Sequence, residues 1–236
     1  MLQNRRLVAL CIMIAAALTA GGCARLIPPS ATPIPPAAAE QSAVPTTTDL
    51  GTVEVESYKG KPLDTVKSEP ENSIKGPQQI DRSTYRLSIT GAVRKPRELT
   101  YEQVIAMPSF QKVTTLNCVE GWSKTYLWQG VRIRDLLADA EYDEDAKTVI
   151  FTCYDGYSTS LPLDYVVSRN ILLAYAMNGK ETPPERGFPF QVVAEDRLGY
   201  KWAKWVTGIE VSDSANYRGY WEKRGYDNDA LLPGAR

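Results

Sequence analysis

Alternation of apolar and polar residues begins late in this chain. In "YRLSITGAV", Tyr85, Leu87 and Ile89 alternate with Arg86, Ser88 and Thr90, which predicts a strand with one buried face. Thr100 and Gln103 have capping-box spacing ahead of "YEQVIAM", so a short helix is expected there, stopped by Pro108. "KVTTLNC" is β-branched and reads as a strand ending at Cys118. "GVRIRDLLADA" puts Ile133, Leu136, Leu137 and Ala140 on one helical face. "TVIFTCYDGYSTSLPL" reads as strand, turn at Asp155–Gly156, and strand. "NILLAYAMNGKETP" reads as a buried strand with a turn at Asn178–Gly179; "GFPFQVVAE" and "KWVTGIEVS" are further strands. Strands outnumber helices and turns are short, so the expected class is α+β, mixed but mainly antiparallel. The stretch 81–226 is long enough to bury a core.

Upstream the pattern changes. Arg5 and Arg6 precede an apolar run, Leu7–Ala20, that is short for a membrane span, and "TAGGC" follows. Residues 1–23 are therefore expected to be a lipoprotein-type export signal with lipidation at Cys23; a plain signal peptide is the alternative. The chain would then be exported and lipid-anchored, on the outer face of the cytoplasmic membrane or in the periplasm. "NRRLVA" has a faint likeness to a twin-arginine signal, which carries folded proteins. Residues 24–80 include "RLIPPSATPIPPAAAEQSAVPTTTD" and show no apolar period, which predicts a disordered tether. Residues 227–236 read as a C-terminal tail.

Charge narrows the partners: 27 basic against 28 acidic residues give no argument for nucleic acid. The chain has no histidine, which excludes a Ser-His-Asp triad, a histidine zinc site and an imidazole base. Chemistry therefore falls to Cys, carboxylates, Lys, Arg, Tyr or an imported cofactor. Cys118, in "TTLNCVEGWSKTYLWQGVRI", is open to four roles: ligand, nucleophile, disulfide half or small core residue. Asn117, Glu120 and Ser123 are its polar neighbours. Hydrolysis by Glu120, or by Glu195 with Asp196, lacks any spacing signal, and those acids are expected to be solvated. Trp122 and Trp128 are expected in the core, and Asp155, Gly156 and Tyr157 in a turn.

From Tyr85 to Tyr226 the landmarks "YRLSITGAVRKPRELTYEQVIAMP", "TLNCVEGWSKTYLWQGVRIRDLL", "DGYSTSLPL", "LLAYAMNGK", "GFPFQVV", "LGYKWAKWVTGIEV" and "GYWEKRGY" occur in order. Together they resemble the molybdopterin-binding domain of the sulfite oxidase family, which includes periplasmic molybdopterin methionine sulfoxide reductases. The resemblance implies that family's fold and a Mo-molybdopterin cofactor. It also implies two-electron oxygen-atom transfer on a small oxo-anion or sulfoxide. Cys118 takes the position of the molybdenum ligand, and a soft thiolate suits a metal already held by dithiolene sulfurs.

The remaining cofactor contacts implied are Cys153, Arg186, Gln191, Trp202, Ala203 and Lys204, with Lys201 as a second candidate cation. Relatives usually have His or Asn where Arg186 stands and Arg where Gln191 stands, so either the arginine has changed position or the pterin pocket has decayed. Relatives also carry an N-terminal stretch with further pterin contacts; the tether shows no matching motif, which implies a reduced shell or a partner's help. Electrons would pass to or from a separate cytochrome or quinone-linked protein, since there is no C-x-x-C-H motif. The alternative is a non-catalytic, lipid-anchored binding module that keeps the fold without cofactor and carries a Cys118–Cys153 disulfide.

Overall fold

The computed structural model describes residues 43–44, 50–68 and 70–234; the expected signal, Cys23 and residues 24–42 and 45–49 of the tether lie outside them. The first strands are short: β1 (Ala43–Val44), β2 (Ser57–Tyr58) and β3 (Lys61–Pro62). β4 (Arg86–Gly91) follows the predicted alternation, with Leu87 and Ile89 fully buried. β5 (Arg97–Thr100) runs into α1 (Tyr101–Ile105), where both halves of the capping box form between Thr100 and Gln103. β6 (Ser109–Asn117), β7 (Ser123–Arg132) and α2 (Ile133–Asp139) come next. Then follow β8 (Thr148–Cys153), β9 (Ser158–Pro162), α3 (Leu163–Ser168) and β10 (Leu172–Met177). β11 (Lys180–Glu181), β12 (Gln191–Val193) and β13 (Val206–Ser212) complete the strands.

These strands form two main sheets. One has the order β1-β6-β7-β10-β11, with β12 also on β10; the other has the order β5-β4-β13-β8-β9. All pairings of named strands are antiparallel except β4 with β13, as the α+β class predicts. β10 lies inside its sheet and is buried throughout, which is why its sequence is a continuous apolar run. β7 also has neighbours on both edges, and residues 126–131 are all buried, so it shows no alternation. Its end, Gly130–Arg132, belongs to this strand rather than to the helix expected over that stretch. Gly130 is required there: a Cβ would sit 2.1 Å from the Leu173 carbonyl oxygen. Ile133, Leu136, Leu137 and Ala140 are fully buried, as the helical face predicts. Each buried leucine contributes about 1.5–3 kcal/mol.

Residues 50–68 depart from the expected disordered tether. Gly51 N donates to Gly179 O (2.9 Å), Val55 N to Asn178 O (2.9 Å) and Asp64 N to Thr125 O (2.9 Å). Asp64 Oδ2 accepts from Thr125 N at 2.8 Å, and Asp64 O accepts from Asn178 Nδ2 at 2.8 Å. The arm lacks apolar periodicity because backbone and polar side chains fasten it. The C-terminal tail is fastened too: Leu198 N donates to Ala230 O (2.8 Å), and Ala230 is buried.

Candidate active site

Cys118 stands at the tip of a hairpin. β6 and β7 pair in register from Ser109–Val131 to Asn117–Ser123, leaving Cys118–Trp122 to make the turn. Cys118 N donates to Trp122 O (2.9 Å), and Gly121 N donates to Cys118 O (3.1 Å). Glu120 Oε2 accepts from Trp122 Nε1 at 3.3 Å and lies 3.9 Å from the Cys118 sulfur. Asn72 Nδ2 approaches the same sulfur at 4.0 Å. Partial burial pushes the Cys118 thiol above its usual pKa, and the Glu120 amide opposes that rise.

The hairpin tip borders a cavity of about 210 Å³. Asp155 and Tyr157 come from the turn after β8, and Gly199, Tyr200, Trp202, Lys204 and Trp205 from the loop before β13. A parallel bridge between Asn117 and Leu198 docks that loop on the hairpin. Trp202 donates from Nε1 to Arg197 O (3.0 Å) and packs on Trp128 with centroids 5.5 Å apart. Pro70, Asn72, Ser73 and Ile74 close a second side, and Trp221 and Tyr226 a third. Ser73 Oγ is buried without a hydrogen-bond partner, so this wall holds an unused polar atom.

A pair of cations adjoins the cavity. Arg186 donates from Nη1 to Pro70 O at 3.0 Å, and Lys204 donates from Nζ to Glu185 O at 3.3 Å. Gly187 (φ +105°) permits their approach, since a Cβ there would sit 3.0 Å from Lys204 Cβ. The Glu71 carboxylate meets both, 3.2 Å from Lys204 Nζ and 4.0 Å from Arg186 Nη1.

The structure thus brings Cys118, Gln191, Trp202 and Lys204 together on one cavity, with Arg186 beside it. Ala203 is buried, its carbonyl accepting from Val192 N at 2.9 Å, and does not line the cavity. Cys153 is in the hydrophobic core opposite Val206, also outside the lining, and burial pushes its thiol well up. Cys118 and Cys153 are both free, so the disulfide that the alternative reading carried is not formed: one thiol is on a hairpin tip and the other is in the core. Lys201 is no cavity cation; it is fully buried against Glu222. Trp128 is core as expected, but Trp122 lines the cavity. Glu195 pairs with buried Lys112 (2.7 Å) and so is not solvated as expected, whereas Asp196 stays partly exposed beside Arg169 (3.5 Å).

Sequence reasoning missed Asn72 and Ser73, whose only signal is the end of the proline-rich composition. It also missed Trp221 and Tyr226, which lie within "GYWEKRGY".

Residues 74–221 match the family model described as oxidoreductase molybdopterin binding domain. The chain belongs to this family. It is 38% identical over 151 residues to the uncharacterized oxidoreductase YuiH of Bacillus subtilis (strain 168), covering 64% of this chain and 76% of that protein. Against the putative protein-methionine-sulfoxide reductase subunit YedZ1 of Azospira oryzae it is 33% identical over 150 residues, 64% of this chain and 57% of the other. Human mitochondrial sulfite oxidase is 28% identical over 178 residues, 62% of this chain but only 32% of that enzyme. The sulfane dehydrogenase SoxCD of Paracoccus pantotrophus shares the fold, with a TM-score of 0.56 at 24% identity over 59% of this chain and 41% of its own. The chain therefore spans roughly a third to three quarters of the relatives it matches.

The molybdopterin-binding oxidoreductase domain fits its cofactor in kind. The cavity offers a soft thiol at Cys118 and amides at Asn72 and Gln191. It adds the unpartnered Ser73 hydroxyl, with Lys204 in the wall and Arg186 beside it. Asn72 and Ser73 add polar groups to the cavity lining that the composition of the tether did not signal.

Proposed function

We propose that the chain is an exported, membrane-tethered molybdopterin enzyme of oxygen-atom transfer, acting on a small neutral oxo-compound of the sulfoxide type. When bound, molybdenum–molybdopterin supplies a metal that changes by two electrons as an oxygen atom is gained or lost. Cys118 would ligate the metal as thiolate, giving up its proton on binding. Asn72, Ser73 and Gln191 would hydrogen-bond the pterin, and Lys204 with Arg186 would receive its phosphate. Lipidation at Cys23 would supply the tether, and a separate cytochrome or quinone-linked protein the electrons.

The carrying observation is Cys118 at the edge of a polar-and-aromatic cavity that also holds the orphaned Ser73 hydroxyl. A neutral substrate is favoured by charge: among the described lining residues Lys204 is the only cation, Glu71 already faces it, and Glu120 and Asp155 are acids. Sulfite would meet those carboxylates unfavourably, while a sulfoxide suits the aromatic surface. The non-catalytic module would carry a Cys118–Cys153 disulfide, and the free thiols of this structure favour the enzyme over it.

Elemental analysis of protein from its native host should find molybdenum, lost in Cys118→Ser. With a reduced dye as donor, the protein should reduce dimethyl sulfoxide and fail to oxidise sulfite. Wild-type protein without molybdenum would end the cofactor assignment, and efficient sulfite oxidation would end the substrate assignment.

A further inference from the structure

Residues 217–226 are attached to the fold through a fully buried ion pair. The Lys201 and Glu222 side chains are both 0% exposed, and Lys201 Nζ meets Glu222 Oε1 at 2.5 Å. Lys201 also donates to Ser160 O (3.1 Å) and Asn228 Oδ1 (3.4 Å). Thr159 Oγ1 donates to the same Glu222 oxygen at 2.6 Å, whereas Glu222 Oε2 is buried without a partner. Arg218 donates to the Glu222 carbonyl from Nε (3.1 Å) and Nη2 (2.9 Å). The backbone is fixed as well: Tyr220 N donates to Ser158 O at 2.8 Å.

A buried ion pair is a poor source of stability, because desolvating two charges offsets most of their attraction. Its effect here is geometric. Trp221 precedes Glu222 in sequence and packs on Tyr226 with centroids 5.1 Å apart; both line the cavity. Lys201 stands between Tyr200 and Trp202, which line it too, and Tyr200 packs edge-on against Tyr226 at 5.2 Å. One ion pair thus joins two aromatic segments that are distant in sequence.

We propose that Lys201 and Glu222 are positioning residues that hold Trp221 and Tyr226 as a substrate-selecting aromatic wall. The wall favours neutral sulfoxides with an aryl substituent over dimethyl sulfoxide. This rests on the reading of the cavity as the substrate site. The ion pair touches no substrate and acts only through the aromatic rings it places.

The test compares methyl p-tolyl sulfoxide with dimethyl sulfoxide on the full chain, by Kd from tryptophan fluorescence and by KM and kcat with a reduced viologen dye. Wild type should bind the aryl compound the more tightly, and Trp221→Ala should weaken that binding roughly tenfold. Glu222→Gln should copy this loss of preference, mainly in KM, with molybdenum content unchanged. If Glu222→Gln does not fold, the double variant Lys201→Met/Glu222→Leu removes both charges together and should show the same loss. Either ion-pair variant, folded and metal-loaded but keeping the wild-type preference, overturns the proposal. Equal wild-type Kd values for the two sulfoxides overturn it too. Binding preference without turnover would defeat the oxygen-transfer reading while leaving the wall supported.

Discussion

The Glu71 carboxylate lies 3.2 Å from the Lys204 ammonium and 4.0 Å from the Arg186 guanidinium, so the chain sets an acid of its own between two cations. Those cations are the ones assigned to the cofactor's phosphate, and an anion arriving there competes with Glu71. Glu71→Gln should tighten binding of inorganic phosphate to cofactor-free protein. The pair is partly exposed, so the gain is about 1 kcal/mol, roughly fivefold in Kd by calorimetry. Unchanged phosphate affinity would show that these cations do not form the anion site.

The two described thiols should differ sharply in reactivity. Cys118 is partly exposed on its hairpin, whereas Cys153 is buried. Iodoacetamide followed by peptide mapping should label Cys118 in the native, cofactor-free protein and Cys153 only after denaturation. Burial raises the Cys118 thiol, so its thiolate fraction at neutral pH is below that of free cysteine and labelling should climb steeply on going alkaline. Native labelling of Cys153 would contradict its placement.

Acid should loosen the N-terminal arm before the core. The Thr125 amide holds the Asp64 carboxyl below the usual carboxylate range; burial opposes this and Lys124 assists it. A depressed value stabilises the fold above the ordinary carboxylate range, and that contribution fades as pH falls through the lowered value. Protection of the amides of residues 51–64, corrected for the intrinsic pH dependence of exchange, should therefore fall at acid pH relative to pH 6. Asp64→Asn should lower that protection already at pH 6, at a cost of about 1 kcal/mol.

Gly130→Ala tests the central sheet. Its added Cβ would meet the Leu173 carbonyl oxygen at 2.1 Å, so β7 and β10 would have to separate. Overpacking of this kind costs about 1–3 kcal/mol or more, which chemical denaturation would read directly. A variant as stable as wild type would disprove the close strand contact.

Patterns that depend on one residue's neighbours along the chain were legible before any coordinates. The alternation of β4, the Thr100–Gln103 box and the Asn178–Gly179 turn, both residues at positive φ, all appear where they were read. β7 was not, because burial on both faces erased its alternation and left Lys124, Thr125 and Gln129 among apolar residues. At the site, Cys118, Trp202 and Lys204 were readable through local motifs. Asn72 and Ser73 were not, because they reach the cavity from a stretch without apolar periodicity. Lys201 looked like a companion to Lys204, but its place in the tight turn Gly199–Lys201, three residues earlier, sends it inward to Glu222.

The parallel pairing of β4 with β13 has a consequence for the order of events in the cell. The Tyr85 hydroxyl donates to the Val206 carbonyl, 121 residues further on, and Trp221 and Tyr226 follow later still. Contacts this distant in sequence form late. While the chain is being synthesised, the β6–β7 hairpin can already fold, but the cavity at its tip lacks one whole side. A finished chain is therefore needed before the cavity exists, and a prematurely terminated product would carry the Cys118 hairpin without the cavity it borders.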